Sequence, residues 1–246
     1  MTASYLALLL ADGRLPTGAH TQSAGVEPAL RHGMRVEEVP AYLRVRLATV
    51  TEVEAAAAVV AGRVWAGRTA PEWSPIPVPG EPEPGTPTTR AATTSVVEAL
   101  ADVDAAWRVR TLSDALREAS DLLGRSYLRT AGAVWDLTPF AGANGPWCRA
   151  VVLGVVAAEA GLDAGQTARL VAYEDVQTVV AAALKLEPFD PSLGVRWAAD
   201  AAPAVEALVA RVADARRPDD IPAHSAPLVE EWGQRHRTSE RRLFRA

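Results

Sequence analysis

Aromatic residues are scarce in this chain. They make up only 6% of its 246 residues, whereas Ala, Val and Leu dominate an apolar fraction of 49%. Alanine and leucine favour helices, and β-sandwiches draw more on aromatic residues, so this composition predicts helices packed on helices. A chain of this length can also bury a sizeable core within one large domain. We therefore expect an all-α fold.

Cysteine and long apolar runs are scarce as well. The single cysteine, Cys148, excludes an internal disulfide and fits a reducing compartment. No run approaches the roughly 18 uncharged apolar residues that a membrane span needs. The apolar start at residues 3–11 is neither preceded by a basic region nor followed by a small-residue cleavage site, so we do not interpret it as a signal peptide. These absences predict a cytoplasmic protein without a membrane partner.

Histidine is too sparse and too scattered to indicate a metal site. The four histidines are His20, His32, His224 and His236. No two of them have the spacing of three or four residues that places two ligands on one helix face. We predict neither a metal site nor a bound cofactor within this chain.

The chain offers one candidate nucleophile set, formed by Asp12, His20 and Ser23. A Ser-His-Asp triad is recognised by its geometry, so a small serine hydrolase remains an alternative. However, Ser23 lacks the first glycine of a G-x-S-x-G nucleophile elbow, and its position suits a helix N-cap better. The acidic pair Glu174–Asp175 is interpreted as a solvated face or an ion pair. We predict a protein without a catalytic site.

The most distinctive stretch is a glycine- and proline-rich turn at residues 12–27, which lies between two apolar segments. Gly13 and Gly18 have the G-x4-G spacing of a phosphate-binding loop. A Walker loop needs Lys and then Ser or Thr after its second glycine, but Ala19–His20 follows here. Pro16 also lacks the backbone N–H that such a loop would direct at phosphate. The stretch is therefore predicted to be a turn that positions two helices.

Apolar residues at steps of three and four predict about eight to ten helices in one domain, residues 1–234. The predicted helical segments are residues 4–11, 23–33, 36–67 with a bend near 49–51, 96–110, a segment beginning at 113, 147–160, 164–186, 193–215 with a break near 203, and 228–237. Ser4, Ser23 and Ser113 are the predicted N-caps. Residues 69–95 contain seven prolines and are predicted to be a loop inserted between helices, although a ligand for an SH3-type domain is an alternative.

The C-terminal segment, residues 235–246, is predicted to be a flexible basic tail. It carries five arginines against one glutamate, a net charge of +4, whereas the whole chain has a net charge of −5. A solvated end and a nucleic-acid contact are two interpretations, and the acidic body argues against the second. In a third, the segment orders on a protein partner, with Leu243 and Phe244 as buried anchors and the arginines facing carboxylates.

Five segments, in their order and spacing, resemble the UreF family of urease accessory proteins. The first is the opening L-P-T-G turn followed by S-A-G-V-E, within residues 10–27. The others are R-E-A-S-D-L-L-G at 117–124, V-L-G-V-V-A-A-E-A-G-L at 152–162, A-A-L-K-L-E-P-F at 182–189 and the ending R-H-R-T-S-E-R-R-L-F-R-A at 235–246. Together they extend over nearly the whole chain.

The resemblance implies an all-α, non-catalytic chaperone for nickel insertion into urease. It implies that the chain forms a homodimer, binds the accessory protein UreD (also called UreH), recruits the GTPase UreG and acts on the urease apoprotein. It also implies that the C-terminal segment orders against UreD. The partner-binding residues expected from the matching motifs are Leu15, Pro16, Thr17, Gly18, Ser23, Gly25, Glu27, Arg117, Glu118, Ser120, His236, Arg241, Arg242, Leu243 and Phe244.

Overall fold

The structure is a computed structural model, and it describes residues 2–67, 89–141, 145–237, 239 and 243–244, apart from the side chains of 89–95 and Pro139. All regular secondary structure within these residues is helical. They contain twelve α-helices, of which ten are at least eight residues long, and three short 3₁₀ turns. The predicted all-α fold is confirmed.

Besides the α-helices, 3₁₀ turns lie at residues 19–21, 36–38 and 218–220. Their bounds are α1 Ala3–Leu10, α2 Val26–Arg31, α3 Val39–Leu47, α4 Val50–Gly67, α5 Thr89–Arg110, α6 Asp114–Ala131, α7 Thr138–Ala141, α8 Arg149–Glu159, α9 Ala164–Leu186, α10 Pro191–Asp200, α11 Ala202–Val212 and α12 Pro227–Arg237. The predicted bend near 49–51 is the break between α3 and α4, and the predicted break near 203 separates α10 from α11. None of the described helices is long and apolar enough to cross a membrane.

Two of the three predicted N-caps are wrong. Ser113 does cap α6, since its hydroxyl accepts a hydrogen bond of 3.4 Å from the backbone N–H of the third helical residue. Ser4 lies inside α1, which Thr2 caps instead. Ser23 lies two residues before the N-cap of α2, Gly25, whose φ of 79° suits a residue without a Cβ atom. The chain enters α2 through this left-handed glycine, so Ser23 lies too far before the first helical residue to act as its N-cap.

The proline-rich insertion is shorter than predicted at its C-terminal end. Residues 69–88 lie outside the described residues. Helix α5 begins at Thr89, whereas the prediction kept residues 89–95 in the loop and began the helix at Val96. The last proline of the insertion is Pro87, so no residue after it removes a helical hydrogen bond.

The core is organised around α8, in which every residue from Arg149 to Ala157 is buried. Helix α4 crosses it so closely that a Cβ atom added to Gly154 would lie 2.2 Å from the carbonyl oxygen of Ala58. A Cβ atom on Gly62 would lie 3.0 Å from the carbonyl oxygen of Gly154. The two backbones are therefore in contact, and only small residues permit this crossing.

A buried ion pair ties α3 to α9. Arg46 donates two hydrogen bonds to Asp175, of 2.5 and 3.0 Å, and Thr51 donates a third of 2.7 Å. Burial by itself would raise the pKa of Asp175, but the charge of Arg46 and these hydrogen bonds outweigh it and hold the pKa below its ordinary value. Arg46 also donates to the carbonyl oxygen of Ala24, at 3.0 Å, and so fixes the end of the opening turn.

Substitution of Gly154 by alanine tests the close crossing of α4 and α8. We expect Gly154→Ala to lower the free energy of unfolding by about 1–3 kcal/mol because the new methyl group meets backbone atoms that cannot rotate away. The loss should appear although alanine favours a helix by about 1 kcal/mol over glycine. Gly67→Ala is the control, since a Cβ atom there meets open space. Equal urea midpoints for Gly154→Ala and the wild type would contradict the crossing.

Asp175→Asn tests the buried ion pair. The variant leaves the buried charge of Arg46 without its partner, so we expect it to be about 3–5 kcal/mol less stable than the wild type near pH 7. Because the pKa of Asp175 is lower in the folded than in the unfolded chain, its stabilisation is present above the unfolded pKa of about 3.9 and is lost as the pH falls towards the folded pKa.

Urea unfolding at several pH values measures this difference. The gap between the wild type and Asp175→Asn should stay constant down to about pH 5 and shrink below about pH 4. Asp12→Asn is the control, since Asp12 forms an exposed pair with Arg14. A gap that does not depend on pH would contradict the ionised state assigned to Asp175.

Candidate functional site

The opening turn packs against α6. The hydroxyl of Thr130 donates a hydrogen bond of 3.1 Å to the carbonyl oxygen of Pro16. Gly18 has a φ of 84°, and a Cβ atom on it would lie 3.8 Å from the hydroxyl oxygen of Ser126, so the two segments are in direct contact. The turn therefore has a fixed position on α6, about 100 residues later in the chain.

A chain of buried polar contacts runs from this turn into the core. Thr17 is only 3% exposed, and it lies beside the phenol of Tyr127 on α6. Tyr127 in turn donates to the carboxylate of Glu174 on α9. Burial, and then the nearby charge of Glu174, raise the pKa of Tyr127 well above its ordinary value, so the phenol keeps its proton and acts as a donor.

Arg149, the first residue of α8, continues this chain. It donates to Glu174 at 2.6 Å and to Glu54 on α4 at 2.8 Å. Its own backbone N–H donates to the hydroxyl of Ser120 on α6 at 2.9 Å, so Ser120 supports the start of α8. The acidic pair on α9 thus forms ion pairs rather than a solvated face. Sequence reasoning missed Arg149, because a charge at the start of an apolar helix gives no sign of its distant partners.

A half-enclosed cavity of about 140 Å³ lies over this network. Its lining includes the apolar side chains of Val50, Val53, Trp107, Leu116 and Leu123 and the charged side chains of Arg46, Glu54, Arg149, Glu174 and Asp175. These five charged groups are already paired with one another. Such a cavity is suited to an apolar group rather than to an ion. Among the described residues, no group of three or more His, Cys, Asp and Glu side chains is placed to hold a metal ion.

The candidate nucleophile set does not form an accessible site. The side chain of Ser23 is fully buried, whereas His20 lies exposed on the 3₁₀ turn at 19–21. The carboxylate of Asp12 is paired with Arg14 at 2.7 Å. A substrate could not reach Ser23 without unfolding the turn, so this arrangement does not favour a serine hydrolase.

Helix α12 packs along α6, at the residues just before the predicted central motif (117–124) and at Glu118 within it. Glu230 accepts a hydrogen bond of 3.0 Å from the backbone N–H of Ser113, and Gly233 leaves room for the side chain of Leu116. At the outer edge, Arg237 pairs with Glu118 at 3.2 Å, and both side chains are about half exposed. Of the predicted residues in this motif, Glu118 therefore lies at the surface.

Arg117 has a different role from its neighbour Glu118. It donates to the carbonyl oxygens of Thr111 and Arg108, at 2.8 and 3.2 Å, and pairs with Asp114. These contacts close the connection between α5 and α6. The structure thus places Arg117 and Ser120 among supporting contacts within the chain.

Glu27 holds the C-terminal segment against α2. Its side chain has no exposed surface, and its two carboxylate oxygens accept hydrogen bonds of 2.8 Å from the backbone N–H groups of Leu243 and Phe244. Arg31 pairs with the same carboxylate at 2.7 Å, and Nε2 of His236 lies 3.4 Å from it. The predicted residues Glu27 and His236 are therefore brought together with the end of the chain.

The two described residues at the end of the chain face opposite ways. Phe244 is 4% exposed, and the ammonium group of Lys185 lies 5.3 Å from its ring centroid. Leu243 is 60% exposed. Arg241 and Arg242, which were also predicted to bind a partner, lie outside the described residues.

These contacts create one continuous surface, which we call the α6–α12 face. It comprises the turn at 12–25, helices α6 and α12, and residues 243–244. Thr130 connects α6 to the turn, Arg237 connects α12 to α6, and His236 of α12 lies within hydrogen-bond distance of the carbonyl oxygen of Phe244. The three predicted regions, at the start, middle and end of the chain, are therefore adjacent in space.

The chain is similar in sequence to proteins of one known family. A family model of UreF matches residues 35–202. The urease accessory protein UreF of Mycobacterium sp. (strain JLS) is 33% identical over 99% of both chains, and that of Mycolicibacterium vanbaalenii is 30% identical over 99% of both. UreF of Mycobacterium tuberculosis (strain H37Rv) is 30% identical over 78% of this chain and 77% of its own. The chain belongs to the UreF family of urease accessory proteins.

Proposed function

We propose that this protein is a non-catalytic scaffold that binds UreD and recruits the GTPase UreG, so that nickel is inserted into the urease apoprotein. Membership of the UreF family of urease accessory proteins supports a role in the maturation of urease. The observation that carries the proposal is the α6–α12 face, which brings three distant motifs together. Nickel is the cargo of this process, and the proposal requires no resident metal in the chain.

The polar groups beneath the face favour binding over catalysis. Arg46, Arg149 and Glu174 are engaged in ion pairs inside the chain, so they hold helices in place rather than meet a substrate. A protein interface needs a rigid base with apolar anchors and a polar rim. The exposed side chain of Leu243 supplies an anchor, and the half-exposed pair of Glu118 and Arg237 supplies part of a rim.

The predicted partner-binding residues divide into two groups under this proposal. Exposed or half-exposed positions contact the partner: Leu15, Pro16, Gly18, Glu118 and Leu243. Buried or internally engaged positions support them: Thr17, Ser23, Gly25, Glu27, Arg117, Ser120, His236 and Phe244. A sequence motif cannot tell contact positions from supporting positions, because the residue type is restricted at both.

A homodimer and a cytoplasmic setting are parts of the same proposal. The single cysteine is buried and unpaired, in keeping with a reducing compartment. Light scattering coupled to size exclusion gives the mass of the complex directly and so tests the dimer.

Co-expression with UreD and UreG tests the scaffold. We expect this protein to co-elute with UreD in size-exclusion chromatography, and UreG to join the pair in one of its nucleotide states. Serum albumin added in place of UreD is the control for non-specific association. The proposal fails if neither UreD nor UreG co-elutes in any nucleotide state.

A charge placed at Leu243 tests the proposed contact. Leu243→Asp should weaken binding to UreD at least about tenfold, since the anchor would bury a carboxylate against an apolar pocket. The fold should be unchanged because the side chain is exposed. Val195→Asp, at another exposed apolar position, on α10, is the matched control. Isothermal titration with UreD measures both, and equal affinities would refute a role for Leu243.

A further inference from the structure

Helix α6 carries three exposed side chains in a row along its outer side, which we call the α6 ridge. They are Leu122, Arg125 and Arg129, at steps of three and four residues, and this spacing places them on one face of the helix. Both arginines are exposed, and Leu122 keeps 38% of its surface open. The ridge therefore presents two cations and one apolar side chain to the surroundings.

Arg125 lacks the partner that the sequence offers it. Asp121 lies four residues earlier on α6, which is the spacing at which an acidic and a basic side chain pair on a helix. Asp121 pairs instead with Arg108 on α5, at 2.7 Å. Arg125 makes no hydrogen bond or ion pair with any other residue that the structure describes. The nearest carboxylate along the helix is thus already engaged elsewhere.

Arg129 is unpaired as well. No acidic residue lies within four positions of it in the sequence, and within the described part of the chain it makes no hydrogen bond or ion pair. Its place in the last turn of α6 suits the helix dipole, but Arg125 lies more than one turn earlier, where that effect has faded. The two arginines are also four residues apart, a spacing at which like charges destabilise a helix.

The α6 ridge concentrates positive charge on a chain whose net charge is −5. Folding gains little from this pair, because the two charges repel each other and neither connects α6 to another described element. Arginine forms two parallel hydrogen bonds with a carboxylate, and it is enriched in protein interfaces. The ridge is therefore suited to a protein surface that carries carboxylates.

We propose that the α6 ridge binds an acidic patch on UreD, with Arg125 and Arg129 each paired with a carboxylate and Leu122 in apolar contact beside them. The ridge is continuous with the surface proposed to bind UreD, since Glu118 lies one turn before Leu122 and pairs with Arg237 of α12. The assignment of UreD rests on the proposed function. Charges at the rim of an interface act mainly on the association rate, so the ridge steers UreD towards the α6–α12 face.

Urea unfolding of the isolated protein tests whether the two arginines lack internal partners. Arginine and glutamine have similar helix propensities, so Arg125→Gln/Arg129→Gln removes two charges with little other change. We expect its urea midpoint to equal or exceed that of the wild type, because the repulsion is relieved. Arg108→Gln is the comparison, and its midpoint should fall because Arg108 pairs with Asp104 and Asp121. A lower midpoint for Arg125→Gln/Arg129→Gln would overturn the proposal.

Association kinetics test the occupant. Arg125→Glu/Arg129→Glu should slow association with UreD at least about tenfold at about 50 mM salt, and much less at about 1 M salt, where charges act over only about 3 Å. Arg44→Glu/Arg196→Glu is the matched control. It makes the same change in net charge at two exposed arginines, on α3 and α10, that also have no partner among the described residues. Surface plasmon resonance gives the association rate constants for UreD and, in parallel, for UreG.

Each result decides the proposal. Equal association rates for Arg125→Glu/Arg129→Glu and the wild type would overturn the ridge and leave the proposed function intact, and so would an equal loss in the control. Slower association with UreG but not with UreD would show that the assigned occupant is wrong. If the wild type does not bind UreD, the proposed function fails, and the assignment of UreD to the ridge fails with it. The urea result does not depend on UreD.

Discussion

The buried acidic pair on α9 sets the arrangement on which the rest of the molecule depends. Glu174 accepts a hydrogen bond from Tyr127, which lies beside Thr17 of the opening turn. Asp175 binds Arg46, which also donates to the carbonyl oxygen of Ala24 at the other end of the turn. A turn rich in glycine has no rigidity of its own, so its shape comes from these side chains. A shift of the turn would take the carbonyl oxygen of Ala24 away from Arg46 and leave one of the buried donors of Arg46 without its acceptor, which is costly. The opening turn is therefore a fixed part of the surface.

The close approach of α4, α8 and α6 gives this network its geometry. Gly154 brings α4 onto α8, and a Cβ atom on Gly124 would lie 2.2 Å from the carbonyl oxygen of Trp147, just before α8. Charged side chains from four helices can therefore meet across short distances. The cavity beside them is lined by apolar side chains and by charged groups that pair with one another, which suits a protein side chain. Rigid support under an apolar anchor is what protein recognition requires.

Much of the fold could be predicted from the sequence, because helix periodicity and breaking residues are local signals. The bounds of α9 and the cap at Ser113 depend on neighbours in the chain and were predicted correctly. Two details were predicted wrongly: α5 begins at Thr89 rather than Val96, and Gly25 rather than Ser23 caps α2. In both places the sequence offers more than one position at which the helix could begin. The site was harder to predict. Glu27 was placed among the partner-binding residues by its motif, yet its hydrogen bonds reach residues more than 200 positions later. A pattern of neighbouring residues in the sequence cannot show a hydrogen-bond partner that is so distant along the chain.

The central claim is that the α6–α12 face, with its opening turn and C-terminal segment, is the surface that binds UreD. Hydrogen–deuterium exchange measured by mass spectrometry, on the protein alone and in complex with UreD, tests it most directly. We predict that UreD slows exchange in peptides from α6, α12 and residues 243–244, and leaves α10 and α11 unchanged. Protection confined to α10 and α11, with unchanged exchange across the α6–α12 face, would contradict the claim.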